Sequence, residues 1–432
     1  MENNLLMQVV DGKSLDYSKS VDGVDALLSD MSRKIGIECL YYITHINNIP
    51  SILKRGILSH SEIEKEKIEP TTIYSSEIVN KRRNRVVSGE KTLWDFANLY
   101  FQPRNAMLYS LVCNSDVSLD DLAIICVKRR ILDREDVLLS TGNAASSQSD
   151  ILSKSEASLG KIRNQIDQDW WKKEDGSKRK IMAECLVSKK VDPTDIQSIY
   201  VATEKARPKV VNFIDQSWNF SSSKPHVAAE PRMFFQPDWR ARVHDKIAIA
   251  KGDMFFSRMQ TLTVSVNCVG VMGKGLASTA KYRFPDVYVK YQDLCKKKRI
   301  MPGKPCLYKR ELSVFDELYD DDLPMEAIED DSQTWFLLFP TKNHWRNKSN
   351  IDDIEKGLKW LVKNYKAQGI QSLAVPALGC GLGGLDWSIV GPLMCKYLVL
   401  MKDIQVVIYL PTEREIATEY LTPEFLLSQV DF

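Results

Sequence analysis

No two cysteines stand three positions apart anywhere in the 432 residues, and only five histidines accompany the nine cysteines. Zinc-ligand spacing is therefore missing, and Cys39, Cys113, Cys126, Cys185, Cys268, Cys295, Cys306, Cys380 and Cys395 read as reduced core residues. No metal is expected. Uninterrupted apolar runs all fall short of the roughly 18 residues that span a bilayer, and the opening MENNLLMQVVDGKSLDYSKS lacks a basic stretch followed by an apolar one. A soluble cytoplasmic protein with no membrane partner is expected. Strong charge of one sign is also missing. A formal net charge of +2 gives no whole-chain attraction to nucleic acid, so any such affinity must come from local patches.

What is present is ordinary globular composition, 44% hydrophobic and 27% charged, at a length that suggests two or three domains. Residues 1 to about 36 are polar, with one helix expected near Val21 to Ile35 and no assigned chemistry. Glu38 to Ile46 (ECLYYITHI) reads as a strand, and Asn48 can cap a short helix that Gly56 ends. The basic cluster Lys81, Arg82, Arg83, Asn84, Arg85 is either a solvated face or a guanidinium clamp for a pyrophosphate. Leu93 to Val112 is dense in aromatics around Arg104 and Asn105, suiting either a core or a surface on which a ring stacks. After the strand Leu122 to Lys128, the serine-rich Ser140 to Ile162 reads as a mobile loop. Glu184 then sits among Met182, Ala183, Cys185 and Leu186. A carboxylate is costly to bury alone, so it lies at a sheet edge in a cleft or pairs with an arginine inside. Residues 204 to 245, with four prolines, read as a domain end plus linker.

In the C-terminal half, buried strands alternate with helices, and two of them end in glycine turns. Thr261 to Cys268 leads into Gly270 to Gly275 (GVMGKG), and Ile370 to Leu378 leads into Gly379 to Gly384 (GCGLGG). Such a turn at a helix N-terminus brings backbone N–H groups close to an anion. Asp386 can cap the helix after the second turn. Thr334 to Pro340 delivers Thr341, Lys342, Asn343, His344 and Trp345. The pattern predicts an α/β sandwich with its ligand crevice at the carboxyl ends of the strands.

Gly252 with Asp253, NCVGVMGKGLA (Asn267 to Ala277), FPTKNHWRNKS (Phe339 to Ser349) and PALGCGLGGLDW (Pro376 to Trp387) resemble a macrodomain, and within that family the DarG antitoxin branch, which removes ADP-ribose from DNA bases. In the N-terminal half, YYITHINNIPSIL (Tyr41 to Leu53), KRRNRVV (Lys81 to Val87), LYFQPRNAMLY (Leu99 to Tyr109) and MAECLV (Met182 to Val187) resemble the DarT toxin family, which transfers ADP-ribose from NAD to bases of single-stranded DNA. The resemblance implies an α+β ADP-ribosyltransferase-like domain followed by an α/β/α three-layer macrodomain with a mixed sheet. It divides the chain into an N-terminal extension (1–36), a transferase domain (37–240) and a macrodomain (241–432).

Carried over by motif, Glu184 corresponds to the catalytic glutamate and Arg83 to the arginine that holds the NAD phosphates and supports catalysis. Thr44 and His45 fall on the NAD-side strand, where Tyr42 replaces the family's histidine. In the macrodomain, Asp253 corresponds to the residue that takes the adenine amino group. Asn267 with Gly273, Lys274 and Gly275 corresponds to the distal ribose site. Gly379, Cys380, Gly381, Leu382, Gly383 and Gly384 correspond to the diphosphate loop, and Lys342 to the catalytic lysine, acting either as an amine nucleophile or as a cation. Arg85, Arg104, Lys178 and Arg179 are the candidate contacts to nucleic acid. NAD as donor, ADP-ribose as macrodomain ligand, single-stranded DNA and ADP-ribosylated DNA are the expected partners. Two alternatives stand beside this: a weak transferase half with a macrodomain that only binds ADP-ribose, and RNA or protein as acceptor.

Overall fold

A computed structural model of the chain describes residues 36–73, 76–113, 116–319 and 333–430. The helix expected near Val21 to Ile35 and most of the acidic run Asp316 to Asp331 lie outside the described residues. Two sheets organise the rest. The first has eight strands in the order His226–Ala229, Ile196–Val201, Leu122–Lys128, Cys39–His45, Phe96–Tyr100, Glu184–Ser188, Val137–Ser140 and Ile151–Ser153. Its pairings are antiparallel except for the parallel edge between Ile196–Val201 and His226–Ala229. The apolar run Leu122–Lys128 lies near the middle because both of its faces are covered. Leu122 and Ile124 join one core cluster, while Ala123, Ile125 and Val127 join another on the opposite face.

The second sheet has seven strands in the order Trp239–His244, Ile247–Lys251, Gln405–Tyr409, Ser372–Pro376, Thr261–Val266, Trp335–Pro340 and Cys306–Tyr308. Its five inner strands are parallel and the two edges antiparallel. Helices Gly275–Arg283 and Pro285–Lys296 bury Ala280, Val287, Tyr291 and Leu294 in one cluster, and helices Ile351–Gln368 and Trp387–Leu398 bury Leu358, Leu361, Val390 and Met394 in another. The result is a three-layer α/β/α unit with a mixed sheet. Since the inner strands run the same way, their carboxyl ends deliver Gly252, Asn267, Lys342 and the Gly379–Gly384 loop to one rim.

The stretch 204–245 departs from the linker expected of it. It holds the helix Arg207–Ser217, an edge strand in each sheet and the short helical turn Pro231–Phe234. The prolines sit where they do not break these elements: Pro208 lies in the first turn of its helix, which has no hydrogen bond to lose there. The two halves are also packed together. One apolar cluster includes Tyr109, Trp170 and Trp171 from the first half, Phe235 between the sheets, and Phe255, Phe256 and Phe284 from the second. Trp171 donates its indole N–H to the carbonyl of Leu318 at 2.9 Å, and Arg283 pairs with Asp169 at 3.0 Å. A burial of this kind fixes the halves against each other, in place of a flexible tether. Among the described residues, no helix is long and apolar enough to cross a membrane, and no group of three or more metal-ligating side chains comes together.

Candidate active sites

Glu184 opens its strand and is fully buried, at 0% exposure. Its carboxylate takes a bidentate fork from Arg82, with Nη2 to Oε2 at 2.8 Å and Nη1 to Oε1 at 3.3 Å. The backbone N–H of Ala144 adds a third donor to Oε1 at 2.9 Å. The carboxylate is thus oriented and its charge offset, as burial requires. Of the two arrangements open to it from sequence, pairing with an internal arginine is the one found. The partner, however, is Arg82.

Arg83 faces the other way. On the helix Ser76–Asn84, consecutive residues point about 100° apart, so when Arg82 turns inward its neighbour turns out. Arg83 has a side chain 51% exposed, pairs with Glu64 and lies 4.5 Å over the ring of Trp94. Trp94 in turn donates its indole N–H to Glu64 at 3.0 Å and stacks on His60 with centroids 4.2 Å apart. Burial, helped by Arg82 and Arg83 and opposed by Glu64, holds the His60 imidazole down at about 4. The unfolded chain takes up this proton near pH 6.5, whereas the folded chain refuses it until about 4. Stability is therefore lost as pH falls through that window, by about 3 kcal/mol in all. A His60→Gln variant should show a shallower decline of Tm between pH 6.5 and 4; an unchanged slope would show that the histidine contributes nothing to it.

Strand parity sorts the residues of the first motif. Tyr41 pairs with Tyr100 and Tyr100 with Glu184, so these three stand in register on one face. Tyr42 packs against the cluster on the opposite face, with Cys185 and Val187. Thr44 shares the parity of Tyr42, is 3% exposed, and accepts from Asn48 at 3.1 Å. His45 has the parity of Tyr41 but lies four residues, about 13 Å, along the strand. Tyr42, Thr44 and His45 therefore stand away from the Glu184 carboxylate, and Tyr41, which the sequence motif did not single out, shares its face from two strands away. Asn48 also differs from expectation: its side chain makes no cap bond and holds Thr71 instead, through bonds of 2.8 Å in both directions.

The residues expected to contact nucleic acid are engaged internally. Arg85 donates to the carbonyl oxygens of Ser146 and, at 2.7 Å, Ser149. Arg179 donates to the Ser149 hydroxyl at 2.8 Å. Between them they pin the segment 140–150 over Glu184, and this segment is not the open loop that its serines suggest. Gly142 makes the fit possible, since a Cβ there would lie 2.8 Å from the Arg179 carbonyl. Lys178 is 7% exposed, in a short helical turn. Arg104 lies between the halves, 4.9 Å and 5.2 Å over the rings of Phe235 and Phe256. A basic run reads as surface in sequence, but here two guanidinium groups donate to the segment 140–150 and a third packs over aromatic rings.

At the rim of the second sheet, Lys342 bridges the two glycine turns. Its Nζ donates to the carbonyl of Leu382 at 3.1 Å, while the carbonyl of the following Asn343 accepts from the Cys268 N–H at 2.9 Å. Burial lowers the lysine from its ordinary value. The turns also approach each other, since a Cβ on Gly275 would lie 3.4 Å from Leu382 Cδ1. Gly273 and Lys274 are exposed on the first turn, just before the helix that Gly275 opens. In the second turn only glycine fits at 383, where a Cβ would meet the Gly379 carbonyl and the Ser349 hydroxyl at 2.4 Å. Gly379 and Gly384 take φ of 75° and 76°. Cys380 is buried, and burial pushes its thiol up to about 12, so it is not a nucleophile. Gly381 and Leu382 face outward beside it.

Asn267 and Asp253 hold the site's walls. Asn267 uses its amide on its own loop, donating to the Val271 carbonyl at 2.6 Å and accepting from the Val269 N–H at 3.0 Å and the Tyr291 hydroxyl at 2.8 Å. Asp253 accepts from the Phe255 N–H at 3.0 Å and pairs with Arg283 at 2.5 Å. Through Arg283 and Asp169, this end of the crevice touches the first half of the chain. Asp386 caps its helix as expected, accepting from the Ser388 N–H at 2.8 Å.

These geometries meet clear likenesses. A family model described as ssDNA thymidine ADP-ribosyltransferase, DarT, matches residues 41–235, and the Macro domain model matches residues 333–394. A DNA ADP-ribosyl transferase-DNA ADP-ribosyl glycohydrolase fusion protein from Thermosipho africanus is 54% identical over 90% of this chain and 98% of its own length. A DNA ADP-ribosyl glycohydrolase of Mycobacterium tuberculosis is 33% identical over 38% of this chain and 42% of its own. The solved structure of Thermosipho africanus DarTG in complex with ADP-ribose superposes with a TM-score of 0.81 at 53% identity, covering 90% of this chain and all of that one. Identity at this level along nearly the whole length means that the chain belongs to the family of fused DarT–DarG proteins.

Proposed function

We propose that the first half transfers ADP-ribose from NAD to a base of single-stranded DNA, and that the macrodomain binds ADP-ribose and hydrolyses the ADP-ribosyl–base link. Toxin and antitoxin activities then occupy one chain. The observation that carries the transfer is the fully buried Glu184 carboxylate, held by two guanidinium N–H groups and one backbone N–H. In the reaction the bond between nicotinamide and ribose breaks, and its electron pair leaves with nicotinamide. A ring nitrogen of the base bonds to the same carbon and gives up its proton. The ribose passes through an oxocarbenium-like state, whose positive charge a preoriented carboxylate stabilises without reorganising. Glu184 has that role and can also take the proton. Arg82 holds it in position, and Arg83 can exchange Glu64 for a phosphate of the dinucleotide.

For reversal, the glycine turns cradle the diphosphate, Asp253 meets the adenine, and Lys342 acts at the sugar carbon, where water replaces the base. A lysine whose pKa is lowered by burial has a larger share of free amine near neutrality, which favours the nucleophilic role over the cationic one. The reading of the macrodomain as a binding module beside a disabled transferase rested on Tyr42, but Tyr42 packs on the face opposite Glu184. The family description names thymidine, and we take that as the acceptor. Mass spectrometry of single-stranded oligonucleotides incubated with NAD and the Lys342→Ala protein should find ADP-ribose on those containing thymidine alone. Modification of thymidine-free DNA, or of RNA in preference, would reassign the acceptor.

A further inference from the structure

Of the basic residues expected to bind the strand, Arg85 and Arg179 are half-buried donors to the segment 140–150 and Arg104 packs between the halves, whereas a surface with exposed cations lies beside Lys342. The turn 341–347 is anchored at its start, where Thr341 N–H donates to the Val266 carbonyl at 3.0 Å, and closed on itself by Asn347 N–H donating to the His344 carbonyl at 3.0 Å. Arg346 N–H donates to His344 Nδ1 at 3.3 Å. At its tip Trp345 is 47% exposed, with His344 stacked alongside at 5.3 Å and the Arg346 guanidinium 4.6 Å over its ring. Leu382, whose carbonyl holds Lys342, is 62% exposed, and Val269 and Val271 of the facing turn are exposed too. The stem of Lys348 lies along Gly384. The side of the mouth next to Trp345 is therefore apolar and aromatic, with Arg346 and Lys348 supplying positive charge, while the Glu413 carboxylate lies by Gly275 and Gly381.

This pairing of ring faces and cations fits one kind of occupant. A single DNA strand presents base faces that stack on aromatics and phosphates that pair with arginine and lysine. If Lys342 acts at the bond between sugar and base, the rest of the strand must leave the crevice at that bond, three residues from Trp345. We propose that Trp345 is the platform on which a nucleotide adjoining the ADP-ribosylated base stacks, with Arg346 and Lys348 on neighbouring phosphates. The proposal rests on the role given above to Lys342. It assigns the macrodomain its own strand-binding surface, separate from that of the transferase.

The test compares two substrates in the absence of NAD: an ADP-ribosylated oligonucleotide and an ADP-ribosylated nucleoside with no flanking nucleotides. Trp345→Ala in the full chain should raise KM for the oligonucleotide about tenfold, with kcat unchanged and both constants unchanged for the nucleoside. Arg346→Gln should reduce the slope of log KM against log salt for the oligonucleotide by roughly 0.7, one single-strand phosphate contact. Equal effects on both substrates, or none on either, would overturn the proposal. A Lys342→Ala protein that still cleaves the nucleoside would instead remove the reading on which it rests, and the two failures are thus distinguishable.

Discussion

Glu184→Gln should lower the transfer rate by about a hundredfold or more while leaving NAD binding largely intact, because the change removes the charge but keeps the shape. The two neighbouring arginines then separate orientation from phosphate binding. Arg82→Ala leaves a fully buried carboxylate with one backbone N–H and without its guanidinium fork, a change that costs about 3–5 kcal/mol of stability. It should therefore depress both Tm and transfer. Arg83→Ala breaks an ion pair between half-exposed side chains, for which the stability loss is no more than about 1 kcal/mol. Its effect should appear as a higher KM for NAD at nearly normal Tm. Calorimetry and initial rates on the three variants decide the matter. If Arg83→Ala unfolds the protein and Arg82→Ala does not, the arrangement drawn around Glu184 is wrong.

Lys342→Ala should abolish removal of the modification and leave transfer untouched, since the lysine lies at the rim of the other sheet. Among the described residues its side chain donates to the Leu382 carbonyl alone, so the backbone of the two turns needs no rearrangement when it is lost. Binding of ADP-ribose should persist within a few fold, while hydrolysis falls by two orders of magnitude or more, to roughly the level left by losing an activated nucleophile. The pH profile adds a sign. If the amine attacks, the wild-type rate climbs as pH rises toward the lowered lysine pKa; if the cation is needed, it declines over the same range. A climbing profile is expected. Cells expressing the variant should accumulate modified DNA, because transfer would go on unreversed.

Much of this was legible in the residues. The strand Leu122–Lys128 announced itself as an apolar run, and the two glycine turns at strand ends marked the crevice beside Lys342. Glu184 among apolar neighbours implied a partner, and the partner exists. Which arginine turns toward Glu184 was not legible, because Arg82 and Arg83 are equivalent until the helix that carries them packs against something. Parity hid Tyr41 in the same way: one step along a strand reverses the face, and only pairing with Tyr100 fixes which residue looks toward Glu184. Charge was the least legible: Arg85 and Arg179 donate to the segment 140–150, Arg104 packs over rings and Lys178 is buried, and composition gives no sign of the groups that receive them.

The account holds that one chain both attaches and removes the same group. The most direct measurement uses two variants in succession on one thymidine-containing single strand, followed by mass. Lys342→Ala with NAD should make the strand heavier by one ADP-ribose. After NAD is removed, adding the Glu184→Gln protein should return it to its starting mass. A strand that never gains mass, or one whose added mass survives the second protein, would contradict it.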